Sequence, residues 1–336
     1  MTQESARPAR GEGPGVLRIV QLSTEEYVRD VLPHSAEIWS GGLSFADYAA
    51  EFGAVSASGF GRRRFRTLGL SLDGELVSSC KRYQRELRCG ERTFRAAGIG
   101  AVFTPQSARG RGYATALLGA LLDNERAAGT DFVYLFTDIH PAFYERLGFV
   151  RLPSRAIMLR ADTLPHARIS ARTLVDADWP ALERCFAALD ATRGFTLTRP
   201  PLIWEFLRLR TRARGASGVL VRLGIMRGRR LVAYVLGRRF ADVDSFALDE
   251  FAYVDEEAAA LVPALIRNGA GDLRKVTGWL PPAPARGIVP RGAVRPRRTG
   301  VTMLLPLSAA ASAAWQRSAG EVTSAAADPC WNADHV

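Results

Sequence analysis

Lysine is almost absent from this chain of 336 residues, in which only Lys81 and Lys275 occur. Nearly all of the 45 basic residues are therefore arginines, and the formal net charge is +11. The chain is rich in alanine, so this preference for arginine over lysine is as typical of genomic codon bias as of a basic surface. The densest clusters, Arg62–Arg64 and Arg295–Arg298, lack the interleaved aromatic side chains that stack on bases. We therefore predict no nucleic-acid partner.

Long apolar runs are missing as well. No segment approaches the roughly twenty apolar residues that cross a bilayer, and residues 1–15 are polar without the apolar core of a signal peptide. These absences predict a cytoplasmic protein without a membrane partner, in which residues 1–15 form a disordered leader. Cysteines are few and lack the paired spacing of a metal or redox site, so we predict reduced thiols and no metal. They are Cys80, Cys89, Cys185 and Cys330.

The most informative segment predicts a strand, a basic glycine loop and a helix in direct succession. Residues 97–104 are apolar and partly β-branched, and the loop Arg109-Gly110-Arg111-Gly112 follows them. Apolar residues at positions 114, 117, 118, 121 and 122 then predict a helix that ends at Gly129. Glycines let backbone N–H groups close on an anion. The positive helix start and the two guanidiniums lie at the same point. The segment therefore predicts a pyrophosphate site and the use of coenzyme A.

A second motif follows about thirty residues later. Phe132–Phe136 is a continuous apolar run that predicts a buried central strand. A short helix over 141–147 then carries most of the sequence Phe143-Tyr144-Glu145-Arg146-Leu147-Gly148-Phe149. The order is strand, anion loop, helix, strand and a short helix with a tyrosine.

These two motifs resemble those of the GNAT family of N-acetyltransferases. Residues 109–114 match the family's Arg/Gln-x-x-Gly-x-Gly/Ala motif, and residues 143–149 match its Phe-Tyr-x-x-Leu-Gly-Phe motif. The longer segments FTPQSARGRGYA and LFTDIHPAFYERLGF resemble fungal lysine acetyltransferases, which also have two domains. The mycobacterial Eis aminoglycoside acetyltransferases are similar in their tandem architecture. The close resemblance covers roughly residues 90–152.

The resemblance implies a fold and a division into domains. We expect an α/β fold with mixed sheets, built from tandem GNAT-like domains. Residues 16–160 would form the catalytic domain, residues 167–308 a degenerate GNAT-like domain closed by a strand over 301–307, and residues 309–336 a tail. The second half has Asp255-Glu256-Glu257 where a pyrophosphate loop would stand, so we expect one active site. Trp331 predicts that the tail docks on the protein.

The resemblance also implies acetyl-CoA as co-substrate and assigns its contacts. In the family, the strand before the loop is splayed, so its backbone N–H groups bind the pantetheine and the thioester oxygen. Here those N–H groups belong to Val102, Phe103 and Thr104. The pyrophosphate would contact Arg109, Gly110, Arg111, Gly112, Tyr113 and Ala114.

Acyl transfer to an amine also needs an acid and a base. Tyr144, a phenol with an ordinary pKa of about 10, is the candidate acid that protonates the leaving thiolate. Asp138 and His140, just after the Phe132 strand, are candidate bases, although either side chain could instead cap the short helix. The Val336 carboxylate is a third candidate, because the chain terminus has this role in Eis enzymes.

The acceptor is predicted only as a class. An acidic run without intervening basic residues extends over 242–257 and would attract a cationic amine if it faced the cleft. We predict a small amine, with lysine ahead of aminoglycosides or polyamines. A GNAT-fold protein that binds acyl-CoA without catalysis remains an alternative, and the oligomeric state is left open.

Overall fold

The computed structural model describes residues 16–213, 218–283, 285–324 and 329–335. The first part of the chain contains β1 (Leu17–Leu22), α1 (Thr24–Asp30), α2 (Leu32–Trp39), α3 (Phe45–Ala57), α4 (Gly59–Arg64), β2 (Phe65–Leu72), β3 (Glu75–Cys89), β4 (Arg92–Phe103), α5 (Tyr113–Ala127), β5 (Phe132–Thr137), α6 (Ala142–Glu145), β6 (Val150–Arg151) and β7 (Arg155–Arg160). The second part contains β8 (Ala171–Thr173), α7 (Trp179–Asp190), β9 (Phe195–Leu197), α8 (Pro201–Ala213), β10 (Val219–Arg227), β11 (Arg230–Phe240), β12 (Ser245–Tyr253), α9 (Glu256–Ala270), β13 (Lys275–Trp279), β14 (Val294–Pro296), β15 (Val301–Pro306) and α10 (Ala309–Ser324).

The strands form two mixed sheets, each with one parallel pair. The first sheet has the order β1-β2-β3-β4-β5-β15-β6, with β9 added against β3, and its parallel pair is β4–β5. The second has the order β14-β7-β13-β12-β11-β10-β8, and its parallel pair is β12–β13. In each sheet a helix, α5 or α9, connects the parallel strands, as a parallel crossover requires. The predicted α/β fold with two similar halves is therefore confirmed.

The two sheets exchange a strand. β15, the strand predicted to close the second sheet, instead lies in the first sheet and pairs antiparallel with β5 along Val301–Pro306. β7, which the sequence analysis placed at the end of the first domain, lies between β13 and β14 in the second sheet. The prediction for the 301–307 strand was therefore wrong. A boundary near residue 160 divides the chain in sequence but does not separate the two sheets.

Local signals in the first half explain where several elements begin. The Ser23 hydroxyl accepts the N–H of Glu26, and the Glu26 carboxylate accepts the N–H of Ser23 at 2.7 Å, which is a capping box. The next helix, α2, begins separately at Leu32, with Pro33 in its first turn. Asp73 and Gly74 have φ angles of 52° and 96° and form the tight turn of the β2–β3 hairpin.

The C-terminal segment docks between the two halves, as Trp331 predicted. The Trp331 ring is 3% exposed and packs against Phe251 at 5.1 Å. Asp334 accepts hydrogen bonds from Arg85 at 3.3 Å and Arg199 at 3.1 Å, and all three side chains are buried. Arg85 belongs to the first sheet, whereas Arg199 also pairs at 2.8 Å with Glu250 of the second sheet. Asp334 thereby links groups from both halves, and residues 309–324 of the predicted tail form a helix.

The structure describes the cysteines and the lengths of the helices, for which the sequence made predictions. All four cysteines are free and buried, in agreement with the predicted reduced thiols. Within the described ranges, no helix has the length and apolar character that crossing a bilayer would require.

Candidate active site

The centre of the first sheet opens where β4 and β5 separate. Their parallel pairing extends only from Ala96 to Ile99 on β4, although β5 continues to Thr137. Beyond Ile99 the register of β4 against β3 shifts, and Ala101 adopts a left-handed φ of 48°. This bulge turns the end of β4 away from β5, so the β5-facing edge of β4 has no strand partner there. Val102 and Phe103 are the last residues of β4, beyond its pairing with β5, and Thr104 follows directly.

Contacts from β3 hold the end of β4 in place. The Ser78 hydroxyl donates to the Phe103 carbonyl at 2.9 Å and lies 3.0 Å from the Thr104 hydroxyl. These contacts engage side-chain and carbonyl groups. They fix the end of β4 against β3.

The glycine loop leads from this edge into the first turn of α5. Gly110 and Gly112 have φ angles of 78° and 80°, and Gly112 is the residue that precedes the helix. No side chain among the described residues caps this helix start, so the N–H groups of the first turn are available to an anion. Arg109 and Arg111 are exposed beside it, and the Arg109 Nε donates to the Thr104 carbonyl at 3.1 Å. Tyr113 and Ala114 form the first turn, so the nine predicted cofactor residues lie in one segment of the chain, from the end of β4 to the start of α5.

Tyr144 is buried on the face of the sheet that carries α5. Its ring packs edge-on against Phe143 at 4.9 Å and Phe149 at 6.0 Å. Burial, together with the nearby Cys80 thiol, raises the pKa of Tyr144 to about 12, and a hydrogen bond with Thr137 partly offsets the rise. Thr137 is the last residue of β5, so the Tyr144 hydroxyl lies at the opening between the two strands. A buried, protonated phenol at this point is suited to donate a proton.

The three predicted bases have different surroundings. The Asp138 carboxylate accepts the N–H of Gly300 at 2.7 Å and lines a large cavity, so it does not cap the short helix. His140 does cap that helix, because its Nδ1 accepts the N–H of Ala142 at 3.3 Å. Its ring is exposed, and it does not line the cavity with Asp138. Val336 lies outside the described residues.

A cavity of about 500 Å³ lies between the two halves, on the side of the first sheet opposite Tyr144. Its volume is within the range of small-molecule sites. Charged side chains of both signs line it: Glu51, Lys81, Asp138, Arg210, Arg238 and Asp249. Ala101, the bulge residue, also lines it. The aromatic lining comprises Trp39, Tyr48, Phe52, Phe65, Tyr83, Phe136, Phe206 and Phe240.

The docked C-terminal segment forms one wall of this cavity. The Asn332 amide donates to Asp249 at 2.7 Å, and the Arg210 guanidinium donates to the His335 carbonyl. The His335 ring packs against Phe136 at 5.3 Å and Trp279 at 5.4 Å. The chain therefore approaches its terminus at the cavity wall, close to the end of β5.

The acidic run of the second half divides between several roles. Asp249 lines the cavity, whereas Glu250 is buried and pairs with Arg199. Asp244 pairs with Arg274, and Asp255 caps α9 and pairs with Arg227 at 2.9 Å. Of these four carboxylates, Asp249 faces the cleft, whereas Asp244, Glu250 and Asp255 pair with arginines.

Sequence reasoning missed four charged residues of the cavity, which are Lys81, Glu51, Arg210 and Arg238. Lys81 lies in the middle of β3, where successive side chains point to opposite faces of the sheet. The available signal in the sequence was a lysine in the middle of a strand, in a chain that has two lysines. Glu51 lies on α3, and nothing in its local sequence distinguishes it from a solvated carboxylate.

Residues 23–151 of this chain match the family model described as an acetyltransferase (GNAT) domain. No curated protein matches the chain.

Solved structures are similar along most of the chain. A GCN5-related N-acetyltransferase from Anabaena variabilis is 17% identical with a TM-score of 0.70, over 88% of this chain and 74% of that one. Eis1 from Mycobacterium abscessus is 19% identical with a TM-score of 0.60, over 89% of this chain and 76% of that one. A tandem GNAT protein from the clavulanic acid biosynthesis pathway is 13% identical with a TM-score of 0.53, over 87% of this chain and 99% of that one. At these identities the likeness establishes the tandem fold.

Proposed function

Starting from the GNAT acetyltransferase domain of residues 23–151, we propose that this acyltransferase moves an acetyl group from acetyl-CoA to a small amine. Transfer is direct, in a complex that holds both substrates. The observation that carries the proposal is the opening between β4 and β5, which has the glycine loop at one end and leads to the cavity. Such an opening lets a thioester bound on one face of the sheet reach an amine on the other.

Each part of the donor has a proposed partner. The pyrophosphate binds the first turn of α5 and the side chains of Arg109 and Arg111. The N–H groups of residues 102–104 bind the pantetheine and polarise the thioester carbonyl. One well-placed donor of this kind contributes roughly 3–4 kcal/mol to lowering a barrier in other enzymes.

Tyr144 is the proposed acid. The amine nitrogen bonds to the acyl carbon, the carbon–sulfur bond breaks, and the Tyr144 hydroxyl protonates the leaving sulfur. Its raised pKa keeps the phenol protonated throughout the neutral range. For the base, the sequence-derived candidates were Asp138, His140 and Val336. Of these, Asp138 has the support of lining the cavity.

The acceptor is proposed to be a cationic amine that also carries a carboxylate, with free lysine as the first choice. The preference for lysine rests on the motif resemblance. Charges of both signs in the cavity suit such a substrate, because Glu51, Asp138 and Asp249 attract an ammonium group, whereas arginines attract a carboxylate.

A second acceptor class is favoured by the three cavity carboxylates. A polycation such as a polyamine or an aminoglycoside is attracted by each carboxylate and repelled by Lys81, Arg210 and Arg238, whereas lysine in its zwitterionic form needs both signs. The cavity volume of about 500 Å³ also accommodates a molecule larger than lysine.

The proposal is tested by thiol release from acetyl-CoA with a panel of amines. Wild type, Tyr144→Phe and Gly112→Glu are compared. We expect turnover on lysine that falls by about 10²-fold or more in Tyr144→Phe. Gly112→Glu is expected to abolish donor binding, because its carboxylate repels the pyrophosphate.

The other outcomes are equally informative. Turnover on polycations but not on lysine supports the second acceptor class. Acetyl-CoA binding that Gly112→Glu abolishes, without turnover on any amine, identifies an acyl-CoA binder and contradicts the catalytic role of Tyr144.

A further inference from the structure

Lys81 lies on the acceptor side of the opening between β4 and β5. It pairs across the sheet with Gly100, and both Lys81 and the bulge residue Ala101 line the cavity. The adjacent Cys80 belongs instead to the core that contains Tyr144. Because successive side chains of a strand point to opposite faces, the acid candidate and Lys81 lie on opposite sides of the same opening.

Aromatic rings surround the amine of Lys81. Its Nζ lies 5.2 Å from the ring centre of Phe52, 5.4 Å from that of Tyr27 and 5.6 Å from that of Tyr48. The Nζ also donates to the Tyr48 hydroxyl at 3.3 Å, and the residue is 8% exposed. The amine is thus held in one place at the cavity wall, with little water around it.

The groups that face Lys81 determine its proton affinity. Burial lowers the pKa of Lys81 to about 8, and the Glu51 carboxylate on α3 partly offsets this effect. Tyr27 on α1 and Tyr48 on α3 are the other titratable groups against it, and burial raises the pKa of both phenols, so they remain neutral. With a pKa of about 8, roughly a tenth of the Lys81 side chains are neutral at pH 7.

We propose that Lys81 is the general base that removes a proton from the acceptor's ammonium group. This inference rests on the proposed acetyl transfer and supplies a base that the sequence-derived candidates do not include. The proton moves to the lone pair of Nζ, which leaves the acceptor as a neutral amine. After the amine nitrogen bonds to the acyl carbon, its second proton restores the phenol that protonated the sulfur. Lys81 then releases its proton to solvent through the cavity, so one proton leaves per turnover.

The scarcity of lysine permits a direct titration of this group. Protein labelled with 13Cε-lysine has two lysines, and Lys275 is exposed. Lys275→Arg assigns the two NMR signals. We expect the Lys81 signal to titrate near pH 8. Lys81 titrating at the ordinary value would overturn the proposal. The titration does not depend on turnover.

Kinetics test the role itself. An acceptor with a pKa near 10 keeps its own ionisation above the range of interest. We expect the wild-type kcat to rise with pH and level off with the pKa that the NMR titration gives. Lys81→Met should lower kcat by about 10² to 10⁴-fold and remove this rise. Lys81→Arg, which keeps the charge but cannot act as a base, should lose as much activity. Lys275→Arg is the matched control and should behave as wild type.

Folding and donor binding are checked in the same variants. Lys81→Met replaces a buried amine by an apolar side chain among aromatic rings, so it should fold and bind acetyl-CoA with unchanged affinity.

Two results would contradict the role of Lys81 and leave the acetyl transfer standing. One is activity in Lys81→Arg near that of wild type with only KM changed, which indicates that Lys81 binds the acceptor's carboxylate. The other is an intact mass increased by one acetyl group at Lys81 in wild type. Absence of wild-type turnover on every amine would contradict the proposed function and this inference with it.

Discussion

Tyr144 and Lys81 are both buried, but burial moves their pKa values in opposite directions. Loss of water disfavours the charged form of each group, so the pKa of the phenol rises to about 12 and that of the amine falls to about 8. The phenol therefore keeps its proton and the amine loses its own more easily. At neutral pH the phenol is therefore protonated, and a fraction of the amine is neutral, as their proposed roles require.

Tyr144 leads to a prediction for alkaline pH. Because its pKa is raised, the phenol stays protonated at any pH well below about 12. We expect the wild-type kcat to show no decline between about pH 8 and pH 10, where an unperturbed tyrosine would begin to ionise. The measurement is kcat against pH with saturating substrates, with thermal unfolding followed at each pH as the control. A decline with a midpoint near pH 9 in folded protein would contradict the raised pKa of Tyr144.

Single residues also mark the limits of sequence reading. The two motifs predicted where Tyr144 and the glycine loop lie, because both are local patterns. The position of Lys81 against Tyr27, Tyr48 and Phe52 depends on how α1 and α3 pack over β3. No local pattern carries that information.

At the scale of the element, the start of α5 depends on the backbone conformation of Gly112. Gly112 needs a left-handed φ of 80°, and an added Cβ would meet no atom within 4 Å. A substitution there therefore costs backbone strain, without a steric clash. Gly119, in the middle of the same helix, has equally open surroundings and no such φ.

These two glycines form a matched pair for mutation. We expect Gly112→Ala to lower the free energy of unfolding by about 1–2 kcal/mol and to weaken acetyl-CoA binding. Gly119→Ala should raise the free energy of unfolding by about 0.5–1 kcal/mol and leave binding unchanged. Urea unfolding and titration calorimetry measure both quantities. Equal effects of the two changes would show that the left-handed turn contributes nothing to the donor site.

Element boundaries were predictable where the signal lies in neighbouring residues. The capping box at Ser23 and the Asp73-Gly74 turn correspond to the start of α1 and the β2–β3 hairpin. The bulge at Ala101 was not predictable from its residue type, because alanine has no preference for a positive φ. The resemblance implied the splay of the strand, and the contacts of β3 and β5 explain where it begins.

At the scale of the whole molecule, Asp334 connects the C-terminal segment to both halves. Burial alone would raise the pKa of its carboxyl, but Arg199 and Arg85 lower it more, and the net effect is a lowered pKa. The carboxylate therefore contributes stability above its ordinary pKa of about 3.9. This contribution is lost as the pH falls through the lowered pKa that Asp334 has in the folded state.

Removal of the Asp334 charge should lower the stability of the protein. We expect Asp334→Asn to lower the free energy of unfolding at pH 7 by about 3–5 kcal/mol, because two buried guanidiniums lose the carboxylate that they share. The difference from wild type should shrink below about pH 4. Asp123, whose side chain is 77% exposed in its pair with Arg126, is the control, and Asp123→Asn should change stability by less than about 1 kcal/mol. Similar losses for both variants would contradict the linking role of Asp334.

The tandem arrangement was predictable from the repeated order of strands and helices, but the strand exchange was not. Val301–Pro306 reads as a buried strand in either sheet, since its apolar pattern says nothing about its partner. Its pairing with β5 and the pairing of β7 with β13 are set by contacts between distant parts of the chain.

The exchanged strand also has a consequence for the nascent chain on the ribosome. β5, whose six residues are all buried, emerges long before β15 arrives to cover its edge. At synthesis rates of roughly 5–20 residues per second, that edge waits on the order of ten seconds. An open apolar strand edge readily pairs with other chains. Efficient production of this protein should therefore depend on chaperones that shield β5 until translation is nearly complete.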